Sequence, residues 1–355
     1  MKQLICLSHA PWSPAPNRTQ QLITRLKDVE VLFFEPSDGK TSSPRKVRPN
    51  ITAYSIPPQL MARLDTPMVG RPASALLRRY FRKILQGHRF REAPLWLTSP
   101  AQYPLVRAIP HSGLVYDCDR EWDDLPLKWE SELALHADVV FAASVGLAQR
   151  LSPCSSNIAI LPNGVNYTMF SRSDGDLPPL LARCKGPVFC RVGDVTHDLD
   201  LEPLLSAASA HPEWNFLLLG RVEEELHSRL NRWPNLLLPG QVPMVDVPDY
   251  LRHSQVCFDL LAKSTAGSDI LPIRLYEYLA VGKPVVLMLQ SEQVEPFPDV
   301  VYAAFSPATF LRRCERALEE DPTWVFDRRR SYARGAQWAD RAAEIQHILE
   351  TAALL

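Results

Sequence analysis

The sequence predicts an α/β protein built from two doubly wound domains and a terminal helix. Three observations carry this expectation. The chain has 355 residues, too many for one ordinary domain and enough for two of about 150–180 residues. Short apolar runs alternate with helical patterns from end to end, and strands alternating with helices give parallel βαβ units. The alternation lapses over Leu161–Pro187, where Pro162, Gly164, Ser171, Ser173, Gly175, Pro178 and Pro179 gather. Such a stretch reads as a linker. The expected division is a first domain at 1–165, a linker at 166–186, a second domain at 187–330 and a terminal helix at 331–355.

In the first half, Leu4–Leu7 reads as a buried strand. Asn17 is a helix cap, and Gln20, three residues on, is its capping-box partner. Val29–Phe34, Leu95–Thr98, Gly113–Tyr116 and Val139–Ala143 read as further strands. In the second half the strands are Val188–Val192, Asn215–Leu219, Leu236–Leu238, Val256–Leu260 and Pro284–Leu289. Leu204–Ala210, Val247–His253 and Pro272–Ala280 are helices between them. Pro322–Leu355 is helical, with Trp324, Phe326, Tyr332, Trp338 and Ile345 as packing residues.

Composition narrows the function classes. Apolar residues make up 46% of the chain, enough for two cores. A net charge of −1 does not suit a nucleic-acid coat. The seven cysteines are scattered and form no CxxC pair, so neither a zinc site nor a disulfide frame is expected. Reduced thiols suit the cytosol. The N-terminal apolar run is too short for a secretory signal, and no apolar stretch approaches the roughly 20 residues of a membrane span. A cytoplasmic location is expected. Gly70–Arg91 is the one basic segment, with Arg71, Arg78, Arg79, Arg82, Lys83, Arg89 and Arg91 and no acid. It reads either as a core helix with a solvated basic face or as a helix that meets an anionic membrane surface.

The chemistry concentrates in Asp269-Ile-Leu-Pro-Ile-Arg-Leu-Tyr-Glu277 and the following Tyr-Leu-Ala-Val-Gly-Lys-Pro-Val-Val286. Pro272 suits a first helical turn, where its missing N–H is not needed. Gly282 ends the helix and Pro284-Val-Val starts a strand. The N–H groups of the helix start form an anion site. Arg274 adds charge toward phosphate oxygens, and Glu277, one turn on, is placed to accept from vicinal hydroxyls.

This stretch resembles the donor-binding motif of family 4 GT-B glycosyltransferases, in which seven residues separate two acids. The nearest likeness is to bacterial polysaccharide enzymes of the teichuronic-acid type. Leu161-Pro-Asn-Gly-Val-Asn-Tyr-Thr-Met-Phe170, His136-Ala-Asp-Val-Val-Phe-Ala-Ala-Ser144, Leu238-Pro-Gly-Gln-Val-Pro243 and Pro248-Asp-Tyr-Leu resemble other family segments in the same order. The resemblance implies a GT-B fold: two Rossmann-like domains facing a central cleft, with a C-terminal helix crossing back to the N-domain. It implies transfer of a sugar from a nucleotide diphosphate sugar to a glycan or polyprenyl-diphosphate-linked acceptor, with retention, in cell-surface polysaccharide synthesis. Glu277 matches the acid that holds the ribose. Asp269 matches the acid that faces the donor sugar, as Asp where the family has Glu. Gly193, Asp194, Arg221, Val242, Pro272, Ile273 and Arg274 complete the implied donor site.

The chain departs from the family after its first C-domain strand. The family reads Gly-Arg…Lys-Gly there, and those two cations grip the diphosphate; this chain reads Gly193-Asp-Val-Thr-His-Asp-Leu-Asp200. Arg274, Arg191 or the helix start must then meet the phosphate charge. In the first domain, Leu114-Val-Tyr-Asp-Cys-Asp119 stands where the family carries a His near the donor sugar. Asp119 and Asp117 share a strand face there, and either is a candidate base. His9, in the proline-rich loop after the first strand, is the remaining catalytic candidate. No Asp-x-Asp metal motif is convincingly placed, so neither a metal nor a cofactor besides the donor substrate is expected. The alternatives are a non-catalytic GT-B-like subunit of a polysaccharide complex and a sugar-nucleotide epimerase or hydrolase.

Overall fold

The computed structural model describes residues 1–37, 44–57, 70–91, 93–263, 268–291 and 293–355, without the side chains of 70–74 and 322–324. The side chains of Arg71 and Trp324, named above as basic and packing residues, lie outside the described set. The chain divides into two compact units, Met1–Pro162 with Trp338–Leu355, and Asn163–Gln337.

Unit 1 is an eight-stranded sheet in the order β3-β4-β2-β1-β5-β6-β7-β8. The strands are β1 Lys2–Leu7, β2 Val29–Pro36, β3 Arg45–Arg48, β4 Ile51–Ile56, β5 Leu95–Leu97, β6 Leu114–Cys118, β7 Val139–Ala142 and β8 Ile158–Ile160. All neighbours pair in parallel except β3, which runs antiparallel to β4. Leu4–Leu7 and Val139–Ala142 are buried throughout, because a parallel sheet is covered on both faces and its strands read as continuous apolar runs. Asn17 and Gln20 form the capping box that starts the helix Arg18–Ile23. The last helix, Trp338–Thr351, packs against Arg18–Ile23 within this unit. Gln346 there accepts from the Lys27 N–H at 2.8 Å.

The basic segment forms the helix Gly70–Gly87. Leu77, Phe81 and Leu85 are buried, and the Phe81 ring meets Phe34 at 5.0 Å. Arg78, Arg79, Arg82 and Lys83 stay exposed. Leu77, Phe81 and Leu85 therefore belong to the core of the unit, and the basic face is presented to the surroundings together with the exposed Leu76.

Unit 2 is a six-stranded, all-parallel sheet in the order β11-β10-β9-β12-β13-β14. Its strands are β9 Val188–Val192, β10 Asn215–Leu219, β11 Leu236–Gly240, β12 Val256–Asp259, β13 Val285–Met288 and β14 Val301–Ala304. The period-two rule divides its core between two faces. Cys190, Leu217, Cys257 and Val285 pack on one side; Phe189, Phe216, Leu218, Phe258 and Val286 pack on the other. Phe189 stacks on Trp214 at 4.7 Å.

The proline- and glycine-rich stretch is less of a linker than its composition suggests. Residues 163–187 belong to unit 2, with a short helix at Tyr167–Phe170 and a 3₁₀ turn at Leu181–Arg183. Phe170 and Leu181 are buried in the core of that unit. At the other end, the helical tail is two helices, Pro322–Arg334 in unit 2 and Trp338–Thr351 in unit 1, so the division falls at 337/338 instead of 330/331.

Candidate functional site

Among the parallel strands of each unit the order reverses once, between β1 and β5 and between β9 and β12. At such a switch point the loops leaving the two strands diverge and open a crevice beyond their carboxyl ends. Of the predicted residues, His9 follows β1 and Gly193 follows β9, at these two places.

In unit 2, β9 ends at Val192 and continues into Gly193, while β12 ends at Asp259. Two arginines share that one carboxylate. Arg191 Nε donates to Asp259 Oδ1 at 2.9 Å, with side chains only 2% and 4% exposed. Arg274 Nε donates to Oδ2 of the same Asp259. Arg191 Nη1 also donates to the Gly193 and Asp194 carbonyls at 2.9 and 3.2 Å. Two guanidiniums on one carboxylate leave a surplus positive charge, at a place where the low dielectric makes charge count.

The backbone around this cluster is fitted closely. Gly193 has φ +122°, a conformation that calls for glycine, and a Cβ there would stand 3.1 Å from Arg274 Nη1, so the arginine head would have to give slightly. At Gly220, after β10, a Cβ would come within 2.4 Å of the Gly193 carbonyl oxygen and 2.8 Å of the Asp194 nitrogen. Tyr278 is fully buried and its hydroxyl accepts the Val192 N–H at 2.9 Å, which ties the end of β9 to the helix that carries Arg274.

That helix is Ile273–Val281, with Pro272 as its extended N-cap residue and no side-chain cap. Asn163 donates to the Leu271 carbonyl at 3.0 Å and steadies the lead-in. Gly282 closes the helix in the left-handed conformation, φ +84°, as the sequence predicts. Arg274 keeps 30% of its side chain exposed. Glu277 is buried, and burial pushes its carboxyl up to about 7 against the pull of Arg274. Near neutral pH it exchanges between proton donor and acceptor. Asp269 is exposed on the irregular stretch before the helix. Asp194 accepts the Arg221 N–H at 2.9 Å and its Nε and Nη2 at 3.1 and 2.8 Å. A guanidinium, 75% exposed, is thereby fixed to the loop that itself carries an acid. Val242 packs on the core of the unit, partly buried.

In unit 1, His9 follows β1, Thr98 follows β5 and Asp119 follows β6. His9 donates its N–H to Thr98 Oγ1 at 2.8 Å and places Nδ1 2.9 Å from the same atom. Its Nε2 lies 3.1 Å from Arg120 Nη2. Arg120 Nε donates to Asp119 Oδ1 at 3.2 Å, and its guanidinium lies 5.2 Å from the Trp122 ring centre. The His9 ring meets Trp122 edge-on. Burial lowers the His9 pKa, Asp119 opposes that shift and Arg120 adds to it. Asp117 does not share the setting of Asp119. It is 1% exposed and paired with Arg18 at 3.0 Å, and burial raises it to about 6 despite Arg18. Asp119 keeps 13% of its side chain exposed.

A family model described as Glycosyl transferase-like matches residues 197–352. A Bacillus subtilis (strain 168) protein, TuaH, described as a teichuronic acid biosynthesis glycosyltransferase, is 27% identical over 274 residues, 69% of this chain and 68% of its own. Sucrose-phosphate synthase from Thermosynechococcus elongatus superposes with a TM-score of 0.77 at 15% identity, over 99% of both chains. The chain has the GT-B fold, and its sequence is similar to glycosyltransferases over part of its length. Anabaena Alr3699/HepE, solved in complex with UDP, superposes at 0.69 with 16% identity over 99% and 100% of the two chains.

Arg274, Glu277 and Gly193 were singled out from the sequence, whereas Asp259, Gly220, Tyr278 and Arg120 were not. The signal for Asp259 was an acid closing the apolar run Val256-Cys-Phe-Asp259. Charge at the carboxyl end of a buried parallel strand points to a site. Gly220 and Tyr278 gave no comparable signal, because only the close approach of other segments makes them matter. Among the described residues, no group of three His, Cys, Asp or Glu is arranged to hold a metal ion, and no helix is long and apolar enough to cross a membrane.

Proposed function

We propose that this protein is a glycosyltransferase that moves a hexosyl group from a nucleotide diphosphate sugar to a glycan or lipid-linked glycan, in cell-surface polysaccharide synthesis. The observation that carries the donor assignment is the Arg191–Asp259–Arg274 cluster beside Gly193 at the switch point of unit 2. Surplus guanidinium charge, a glycine that admits close approach and an uncapped helix N-terminus suit a diphosphate. The departing nucleoside diphosphate gains negative charge as the glycosidic bond breaks. Preorganised cations stabilise that charge without a metal ion. Arg274 stands in for the basic residues that the chain lacks after Gly193, and Glu277 receives the ribose hydroxyls. The UDP complex of Alr3699/HepE and the E. coli protein solved with UDP-2-fluoro glucose, TM-score 0.72 at 11% identity, support a uridine nucleotide as the first donor to try.

Unit 1 supplies the acceptor side through Asp119 and His9, with Asp117 supporting them from its buried pair with Arg18. The reaction runs with retention, the donor phosphate taking the acceptor proton, and Asp269 orients the donor sugar. The exposed basic face of Gly70–Gly87 brings the protein to the anionic inner leaflet, where a polyprenyl-diphosphate acceptor resides; attraction there is electrostatic and falls with salt. The test is a panel of nucleotide sugars read first by thermal shift and then by release of nucleoside diphosphate with lipid-linked acceptors. The reading requires at least one donor to stabilise the protein and to be turned over only when acceptor is present. Release of free sugar without acceptor would support a hydrolase instead.

A further inference from the structure

The hydrogen bonds around His9 fix more than its position. Arginine has donors only, so the contact between Arg120 Nη2 and His9 Nε2 at 3.1 Å requires a lone pair on Nε2. The imidazole is then neutral and its proton sits on Nδ1. Thr98 fits that assignment: its Oγ1 accepts from the His9 N–H and from Nδ1–H, and donates its own hydrogen to the Leu7 carbonyl at 3.3 Å. Every polar atom of this chain of bonds has one consistent role.

The same guanidinium holds Asp119 through Nε at 3.2 Å and lies over Trp122. One side chain thus occupies both groups that the acceptor reading of unit 1 uses. Arg120 is itself 52% exposed. Two of its five N–H groups serve Asp119 and His9, which leaves three for a ligand among the described residues. A half-exposed, partly used guanidinium is a reader of anions.

We propose that Arg120 is the positioning residue of the acceptor side: it holds His9 as the neutral Nδ1–H imidazole with Nε2 covered. An anionic group on the acceptor engages the guanidinium and uncovers Nε2. The acceptor class this implies is a sugar or lipid carrying a phosphate or diphosphate near the attacking hydroxyl. The inference rests on the glycosyltransferase reading of Asp119 and His9, but the hydrogen-bond assignment can be tested without any turnover.

The test is ¹⁵N–¹H correlation of the histidine side chains in the full chain, with His9→Gln used to assign the resonance. The charged and titratable groups facing His9 are Asp119 and Arg120, so the variants are Arg120→Ala and Arg120→Gln. In the wild type, His9 is expected as the Nδ1–H tautomer and uncharged at pH 7. In Arg120→Ala it should titrate at higher pH and show both tautomers. Arg120→Gln, which retains an N–H donor, should keep the tautomer while losing the anion response. Inorganic pyrophosphate should move the wild-type His9 signals toward those of Arg120→Ala and leave the alanine variant unmoved. UDP affinity, which reports on unit 2, should be equal in all three proteins and serves as the folding control. An Nε2–H tautomer in the wild type, or identical His9 titrations in wild type and Arg120→Ala, would overturn the proposal. Loss of UDP binding by the wild type would instead remove the donor assignment and leave the His9 result standing.

Discussion

Replacing Asp259 by asparagine keeps the shape of the side chain and removes one negative charge from beneath two guanidiniums. Arg191, 2% exposed, then loses its only ion-pair partner among the described residues. A buried charge left without its counter-charge costs about 3–5 kcal/mol. The bonds from Arg191 to the Gly193 and Asp194 carbonyls remain, and Arg274 can turn its partly exposed head outward. The lower end of that range is therefore expected, about 3 kcal/mol, a large share of a typical 5–15 kcal/mol. Urea unfolding followed by far-UV circular dichroism measures it as a lower midpoint for the transition of unit 2. The deficit should shrink when UDP or pyrophosphate is present, because the ligand supplies the missing negative charge and binds the folded state alone. The double variant Arg191→Met with Asp259→Leu should recover most of the stability, since a buried pair exchanged for apolar side chains is often neutral, yet lose anion binding. A cost of less than about 1 kcal/mol for Asp259→Asn, or a gap that the anion does not narrow, would refute the pairing of this carboxylate with the buried arginine.

Two further predictions concern neighbours of that cluster. Glu277 has a folded pKa raised from 4.5 to about 7, so the folded state holds more protons than the unfolded one between those values, and stability falls as pH rises through them. Relative to Glu277→Gln, the wild type should lose about 3 kcal/mol between pH 4.5 and pH 8; parallel stability profiles for the two proteins would show that the carboxyl is not desolvated. Gly220→Ala forces a Cβ within 2.4 Å of the Gly193 carbonyl oxygen, so the loop must move by about 1 Å. A displacement of that size can cost on the order of a hundredfold in turnover, with about 1–3 kcal/mol of stability lost to overpacking. Wild-type kinetics in this variant would mean that the loop tolerates the shift.

The fold was legible where local chemistry and periodicity agreed. Pro272 and Gly282 bound their helix in sequence and in structure, because a missing N–H and a left-handed residue each have one good place in a helix. Most buried strands were readable as apolar runs, but Ile51–Ile56, broken by Thr52, Tyr54 and Ser55, was not. The antiparallel edge strand Arg45–Arg48 was not, since its residues are mostly polar and it gains its place from pairing with Ile51–Ile56. Ile158–Ile160 and Val301–Ala304 were too short to separate from their surroundings. At the site, residues that act through their own motif could be found, and residues that act through long-range approach could not. Asp259 lies 15 positions before Arg274, and Arg120 lies 111 positions after His9. The linker reading of 166–186 failed for a related reason: prolines and glycines break regular structure, but they do not stop Phe170 and Leu181 from being buried in unit 2.

Under the proposed function, a nucleoside diphosphate is held by the arginines at the switch point of unit 2. The most direct measurement is calorimetric titration of UDP and GDP into the wild type, Arg274→Ala and Glu277→Ala. Each variant should remain folded and bind the preferred nucleotide about 1–3 kcal/mol more weakly, the scale of a lost charged hydrogen bond. Arg274→Lys should recover only part of the loss, because a point charge does not copy a guanidinium fork. Unchanged affinity in both alanine variants, with the wild type binding nucleotide, would place the donor elsewhere and contradict the account.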